Sequence, residues 1–74
     1  MRVSEFRRAV VDEFGEGLGV ALSRDLVLAE FGHVSANDAL VSGADPRDVW
    51  LALCRAAEVP RERWYGVGLK PPHD

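Results

Sequence analysis

The sequence has 74 residues, a formal net charge of −3 and a single cysteine, Cys54, so an intramolecular disulfide is excluded and a small domain must be held together by packing. The acidic balance disfavours a protein that neutralises many phosphates, and two histidines with one cysteine give no recognisable zinc spacing. Charges interrupt the N-terminal segment and no stretch approaches transmembrane length, so we expect no signal peptide and no membrane span, but a reducing, cytoplasmic setting.

Helix signals begin at the N-terminus. Ser4 is a preferred N-cap residue, Glu5 places an acid where the helix dipole favours one, and Gly15 is suited to end a helix. Apolar residues recur between them at helical spacing. We therefore predict a first helix over residues 5–14, with an apolar face that consists of Phe6, Ala9, Val10 and Phe14.

The second predicted helix covers residues 16–31. Gly17 and Gly19 weaken its first turn, each by up to about 1 kcal/mol relative to alanine. A helical plot shows two apolar stripes on different sides, one formed by Leu18, Leu22, Leu26 and Ala29 and the other by Val20, Val27 and Phe31. A helix that is apolar on two sides is packed by neighbours on both, so we expect helix two at the centre of the fold.

A capping box predicts a short third helix. The sequence SANDAL places Ser35 at the N-cap and Asp38 three residues later, where its carboxylate can reach back to the backbone. The helix covers about residues 36–42, and Gly43 ends it. No alternating apolar pattern that would indicate a strand is visible.

The fourth predicted helix has Asp45 as its cap and ends before Pro60. Residues 60–65 could form one more short helical turn, and the following segment GVGLKPPHD has no periodicity. These elements predict an all-α fold, a compact single-domain bundle of four to five short helices over residues 1–65. Helix two lies at its centre, and residues 66–74 form a flexible, disordered tail.

Several of these segments together resemble one protein family. MRVSEFRRAVVDEFG, SRDLVLAEFG, DAL followed by GADPRDVWLALC, and EVP occur in order and with matching gaps. Over about residues 1–60 the chain is similar to a family of short actinobacterial proteins, domain-of-unknown-function family 3046. The resemblance implies a compact helical cytoplasmic protein whose gene often lies beside that of the recombinase RecA. It implies no catalytic or binding residues, and the extension WYGVGLKPPHD departs from the family pattern.

Asp25 is the polar residue of interest in the predicted core. On the helical plot it lies inside the wider apolar face of helix two, where a carboxylate without a partner is costly. One interpretation is a general base or a ligand-binding group. The other is a structural carboxylate that caps another helix or accepts a hydrogen bond from a tryptophan indole, and we favour it because no second catalytic group accompanies Asp25.

No catalytic or metal-binding set converges elsewhere. A nucleophilic Cys54 would need a neighbouring base, and its position one turn after Trp50 is explained by a small core residue. His33 follows the helix-ending Gly32 and is most simply a loop residue. We therefore expect no catalytic residue, no metal site, no cofactor and no enzymatic activity.

Two surfaces are candidates for partner binding. Arg47, Leu51 and Arg55 follow one another at four-residue spacing on the polar side of the fourth helix. Trp64 and Tyr65, which lie beside arginines, form the second surface, since aromatic residues interleaved with arginine anchor protein interfaces or stack on bases. Trp64 could instead fold back over the core, which is the interpretation we favour, and Tyr65 is left open.

These features favour a small non-enzymatic protein–protein interaction module, which binds an unidentified protein partner or forms a homodimer. The alternative is an accessory nucleic-acid-binding protein linked to DNA recombination or repair, in which the fourth helix follows a helix-turn-helix-like bend. The net charge disfavours this alternative. Asp45 and Asp48 also stand at the start of the fourth helix, where they would repel phosphate.

Overall fold

The computed structural model describes residues 1–64, and over these residues the fold is all-α apart from one short strand ladder. The elements in chain order are α1 Val3–Phe14, α2 Glu16–Asp25, β1 Val27–Leu28, a first 3-10 turn Ala29–Phe31, β2 Val34–Ser35, α3 Ala36–Val41, α4 Pro46–Ala56 and a second 3-10 turn Arg61–Arg63. The predicted fold class is confirmed. The tail predicted over residues 66–74, and residue 65 at the end of the predicted domain, lie outside the described residues.

Helix α1 begins two residues earlier than predicted. Its N-cap residue is Arg2, whose backbone N–H donates a hydrogen bond to Oε1 of Glu5 at 2.7 Å. Glu5 therefore satisfies one of the donors that a helix start leaves unpaired, and Ser4 lies inside the first turn instead of capping it. The helix ends before Gly15, whose φ of 85° is rare for residues that carry a Cβ atom.

Helix α2 ends at Asp25 and does not continue to residue 31 as predicted. Leu26 already has extended backbone angles, with φ −75° and ψ 121°. Strand β1 then pairs antiparallel with β2, so that the fully buried Leu28 lies opposite Val34. The expectation of no strands was wrong because a ladder of two residues per strand is too short to produce an alternating pattern in the sequence.

The predicted N-cap residues of α3 and α4 are confirmed, but the capping box of α3 is only half formed, since no hydrogen bond joins the Asp38 carboxylate to the backbone of Ser35 within residues 1–64. Oγ of Ser35 accepts a hydrogen bond from the backbone N–H of Asp38 at 3.2 Å. The Asp45 carboxylate accepts one from the backbone N–H of Arg47 at 2.9 Å, and Pro46 occupies the first turn of α4. The second 3-10 turn likewise confirms the short helical turn predicted after α4. These local signals were sufficient because each cap depends on residues within one helical turn.

Helix α4 supplies the largest share of the core. Its buried residues are Val49, Trp50, Ala52, Leu53 and Cys54. The remaining core residues are Phe6, Ala9 and Val10 from α1, Leu28 from β1, Ala36 and Ala39 from α3, and Val59. Trp50 meets Phe6 edge to face, with ring centres 6.3 Å apart. The core thus lies around α4, and α1, β1 and α3 contribute its other buried residues.

Helix α2 packs against α1, α3 and β2. The prediction that it lies at the centre of the fold was wrong, because none of the buried hydrophobic core residues comes from it. Its apolar side chains are also less buried than predicted. Leu18 is 57% exposed and Val20 is 55% exposed, whereas the buried residues of the helix are Gly19 and Ser23. The helix is not apolar on two buried sides, because it ends before Leu26 and the residues that follow do not extend its faces.

Candidate functional site

The Arg47–Leu51–Arg55 stripe lies along α4, but its three residues have different environments. Arg47 is exposed, and Leu51 is half-buried and packs against the core. The Arg55 guanidinium donates to Oε2 of Glu30 from Nε at 2.9 Å and from Nη2 at 2.7 Å. The hydrogen bond from Arg55 lowers the pKa of Glu30. One end of the stripe is therefore engaged in a contact within the chain.

Trp64, from the second predicted surface, is half-buried against the core. Its indole Nε1 donates to the carbonyl oxygen of Val59 at 2.8 Å, and its own carbonyl oxygen accepts from Nε1 of Trp50. The guanidinium carbon of Arg61 lies 5.2 Å from the centre of the Trp64 ring. This placement agrees with the favoured interpretation that Trp64 folds back over the core. Tyr65 lies outside the described residues.

These contacts hold together the region of the molecule around α4. We call this region the α4 face, and its residues are Trp50, Cys54, Arg55, Arg63 and Trp64. Nη2 of Arg63 lies 2.9 Å from Oε2 of Glu13, which ties the second 3-10 turn to α1. Cys54 is fully buried, and burial raises the pKa of its thiol to about 12, with the Glu13 carboxylate adding to the increase. A nucleophilic cysteine needs a lowered pKa. The prediction that Cys54 is a core residue is confirmed.

The prediction that Asp25 is a buried polar residue was wrong. Its side chain is 64% exposed and accepts two hydrogen bonds from Arg24, from Nε to Oδ1 and from Nη2 to Oδ2, each at 3.0 Å. The hydrogen bond from Arg24 lowers the pKa of Asp25. The helical plot misplaced this residue because Asp25 is the last residue of α2, so no apolar face continues beyond it.

A groove between α1 and α2, extended by the start of α3, was not predicted from the sequence. It has a volume of about 230 Å³. We call it the α1–α2 groove, and its lining residues are Arg7, Val10 and Val11 from α1, Glu16, Gly19, Val20 and Ser23 from α2, and Asn37 from α3. It combines apolar surface with several polar side chains, as binding sites commonly do.

The two helices approach each other closely at Gly19, inside the groove. A Cβ atom at this position would lie 2.7 Å from Cγ1 of Val10 and 3.1 Å from the carbonyl oxygen of Val10. A larger residue would therefore force the helices apart. Val20, the next residue, lines the groove and is 55% exposed, while the similarly exposed Leu18 does not line it.

Charged and polar side chains accompany these valines. Arg7 comes from α1 and Glu16 from α2, and neither forms an ion pair with another of residues 1–64. Oδ1 of Asn37 is buried and has no hydrogen-bond partner in this part of the chain. A buried oxygen without a partner costs about 1–3 kcal/mol. Asn37 is therefore a candidate contact for a binding partner.

The sequence contained two weak signals of this groove. Val3 and Val11 flank Arg7 at four-residue spacing and lie outside the apolar face predicted for α1. Gly19, interpreted only as a weak point of α2, is the residue that sets the distance between the helices. A glycine inside a helix often has such a packing reason, but the neighbour that it contacts becomes known only from the fold.

Neither a metal-binding cluster nor a membrane-spanning helix occurs within residues 1–64. Within residues 1–64, no group of three or more histidine, cysteine, aspartate or glutamate side chains is arranged to hold a metal ion. None of the helices in this part of the chain has both the length and the apolar character needed to cross a membrane.

Residues 1–62 match the model of a family described as protein of unknown function (DUF3046), which confirms the resemblance predicted over about residues 1–60. No curated protein and no solved structure matches the chain.

Proposed function

The chain belongs to the DUF3046 family, and we propose that this member is a small non-enzymatic protein–protein interaction module that binds its partner in the α1–α2 groove. The observation that carries the proposal is the Asn37 carboxamide, whose buried oxygen lacks a partner within residues 1–64 beside a groove lined by exposed valines. We place the protein in the cytoplasm, where a lone thiol stays reduced.

The groove suits an apolar side chain of a protein partner together with a hydrogen-bond donor. Val11 and Val20 are both substantially exposed and would lose contact with water on binding, which is favourable. The terminal torsion of asparagine is broad, so a rotation of the Asn37 amide can turn its oxygen towards a donor on the partner.

The Arg47–Leu51–Arg55 stripe is the second candidate surface of the same module. Arg55 is held by Glu30 and Leu51 packs against the core, so a partner would have to displace existing contacts at two of its three positions. The groove needs no such displacement of an ion pair within the described residues. We therefore rank the groove above the stripe.

Peptide selection with matched variants tests this proposal. A displayed peptide library is selected on the immobilised full chain, and the selected peptides are then measured against Val20→Glu and Leu18→Glu. Both residues lie on α2 with nearly equal exposure, but Val20 alone of the two lines the groove. We expect Val20→Glu to abolish binding and Leu18→Glu to leave it unchanged, while circular dichroism shows that both variants are folded.

Other outcomes separate the candidate surfaces. Peptides that bind Val20→Glu normally but lose affinity for the double variant Arg47→Glu, Arg55→Glu would move the site to the stripe on α4. A selection that yields no peptide dependent on either surface would contradict the proposed function.

Nucleic-acid binding is the alternative function, and the ion pairs weigh against it. Arg55 is paired with Glu30 and Arg63 with Glu13, so two of the arginines near the C-terminal end of the described chain have carboxylates beside them. Binding of fluorescent DNA or RNA that weakens steeply with added salt would support this alternative. The absence of such binding at low ionic strength would exclude it.

A further inference from the structure

We infer that the partner in the α1–α2 groove is a second copy of this chain, in a twofold-symmetric dimer in which Arg7 of each copy lies opposite Glu16 of the other. The inference rests on the proposed function, because it names the occupant of the same groove. It is carried by the distribution of charge and apolar surface along α1 and α2.

The charges of the groove are complementary to themselves under a twofold rotation. In a twofold dimer, a residue that contacts a second residue of the partner is matched by the reciprocal contact. The groove has a cation, Arg7, on its α1 side and an anion, Glu16, on its α2 side. Two copies that meet groove to groove can therefore form two Arg7–Glu16 pairs. A groove with charges of one sign would instead repel its own copy.

The exposed apolar surface beside these charges is small, as in the interfaces of weak dimers. Val3 and Val11 on α1 are 40% and 41% exposed and flank Arg7 at four-residue spacing, and Val20 adds apolar surface from α2. Two α1–α2 pairs packed face to face would form a four-helix arrangement that covers these valines. Three half-exposed valines per copy are few, so we expect a dimer of the weak class, with less than about 1,200 Å² of total buried surface. Such a dimer exchanges with monomer and depends on concentration.

Sedimentation velocity on the full chain and its charge variants tests the inference. Wild-type protein should shift from monomer to dimer as its concentration is raised. Arg7→Glu places carboxylates at both positions, and Glu16→Arg places guanidiniums at both, so each variant alone meets like charges across the interface. We expect each to weaken dimerisation by about tenfold or more, since both pairs per dimer change from attraction to repulsion.

Mixing the two variants gives the decisive measurement. In a mixed dimer, the new carboxylate at position 7 of one copy faces the new guanidinium at position 16 of the other, and the unchanged Arg7 faces the unchanged Glu16. An equimolar mixture should therefore dimerise at least as well as wild type, although each variant alone is monomeric at the same concentration. Thermal melts confirm that the variants are folded, and Val20→Glu with Leu18→Glu serves as the matched apolar pair.

Three outcomes would overturn the inference. Wild-type protein that stays monomeric at every concentration would exclude the second copy as partner, while peptides dependent on Val20 would still support the groove as a docking site. A dimer insensitive to Val20→Glu and to both charge variants would use another face. A mixture that fails to associate, when each single variant is folded, would exclude the Arg7–Glu16 pairing.

Discussion

The α4 face and the α1–α2 groove lie on the same small domain, but the polar groups of the first have partners within residues 1–64 and those of the second do not. On the α4 face, the indoles of Trp50 and Trp64 both donate to backbone carbonyls, and Arg55 and Arg63 both meet carboxylates. In the groove, none of Arg7, Glu16 and the Asn37 Oδ1 atom has a corresponding partner within residues 1–64. The contrast indicates that stability is concentrated around α4, whereas the polar side chains of the groove have no such contacts within residues 1–64.

The difference follows from how each helix is buried. Five residues of α4 are buried, so most of the side chains of this helix are held in place by packing against the core. Helix α2 is short and buries only Gly19 and Ser23. Its backbone therefore lies close to α1, but its side chains add little volume to the core. Changes on the α4 face should therefore alter stability most, and changes in the groove should alter recognition.

The largest expected effect is that of Trp50→Ala. Trp50 is 2% exposed, contacts Phe6 and Phe14 edge to face, and donates to the carbonyl of Trp64. Truncation of a buried tryptophan costs about 3–5 kcal/mol, a large part of the stability of a domain this small. Urea denaturation followed by circular dichroism should show a protein that is mostly unfolded or has a greatly lowered midpoint.

Arg47→Ala is the control for this prediction, because Arg47 is exposed on the same helix. Its effect should stay within about 0.5 kcal/mol. If Trp50→Ala cost no more than Arg47→Ala, the core would not be centred on α4, and the contrast between the two regions would be lost.

The next largest effect is expected at two glycines of α2, where alanine should change the free energy of unfolding in opposite directions. Gly19→Ala places a Cβ atom 2.7 Å from Cγ1 of Val10 and 3.1 Å from its carbonyl oxygen, so α1 and α2 must separate, at a cost of about 1–3 kcal/mol. Gly17→Ala meets no atom within 4 Å, and alanine favours the helix by up to about 1 kcal/mol. Free energies of unfolding should thus fall for Gly19→Ala and rise for Gly17→Ala.

The same pair bears on the groove itself. Because Gly19→Ala widens the space between the helices, it should also weaken groove-dependent association, whereas Gly17→Ala should not. Stabilisation by both substitutions would show that α1 and α2 do not approach closely at Gly19 and that this residue does not set the width of the groove.

The sequence predicted the caps of α3 and α4, which depend on neighbours in the chain, although it misplaced the cap of α1 at Ser4. It missed what depends on contacts across the fold. Ser35 and Asp45 cap their helices as predicted, since a cap involves residues within one turn. The end of α2 was placed too late because Leu26 and Leu28 fit a helical period equally well before the ladder is known. Asp25 was misplaced for the same reason.

The candidate sites also divide into features of one helix, which the sequence shows, and contacts across the fold, which it does not. The Arg47–Leu51–Arg55 spacing is a property of one helix and was visible in the sequence, but the partner of Arg55 is Glu30, 25 residues away. The groove requires α1, α2 and the start of α3 to come together, and its key residue on α3, Asn37, gives no signal in the sequence beyond a place in a capping motif. Recognition surfaces between elements are therefore harder to predict than caps within them.

The smallest expected effect concerns Asn37 and separates recognition from stability. Asn37→Ala removes a buried oxygen that has no partner among the described residues, and alanine is the better helix former, so the free energy of unfolding should rise by up to about 1 kcal/mol. Ser35→Ala, two residues earlier, removes the cap of α3 and should lower it by about 1 kcal/mol. Urea denaturation of the two variants beside wild type measures both changes.

Asn37→Ala should weaken binding although it stabilises the fold. If the Asn37 amide is retained for a partner, the more stable Asn37→Ala variant should bind groove-dependent peptides more weakly than wild type, a trade-off common at functional sites. A loss of stability in Asn37→Ala would mean that the oxygen is satisfied in solution and that the groove has no polar anchor. Increased stability with unchanged binding would keep the contrast between the two regions but would restrict recognition to the valines and the charged pair.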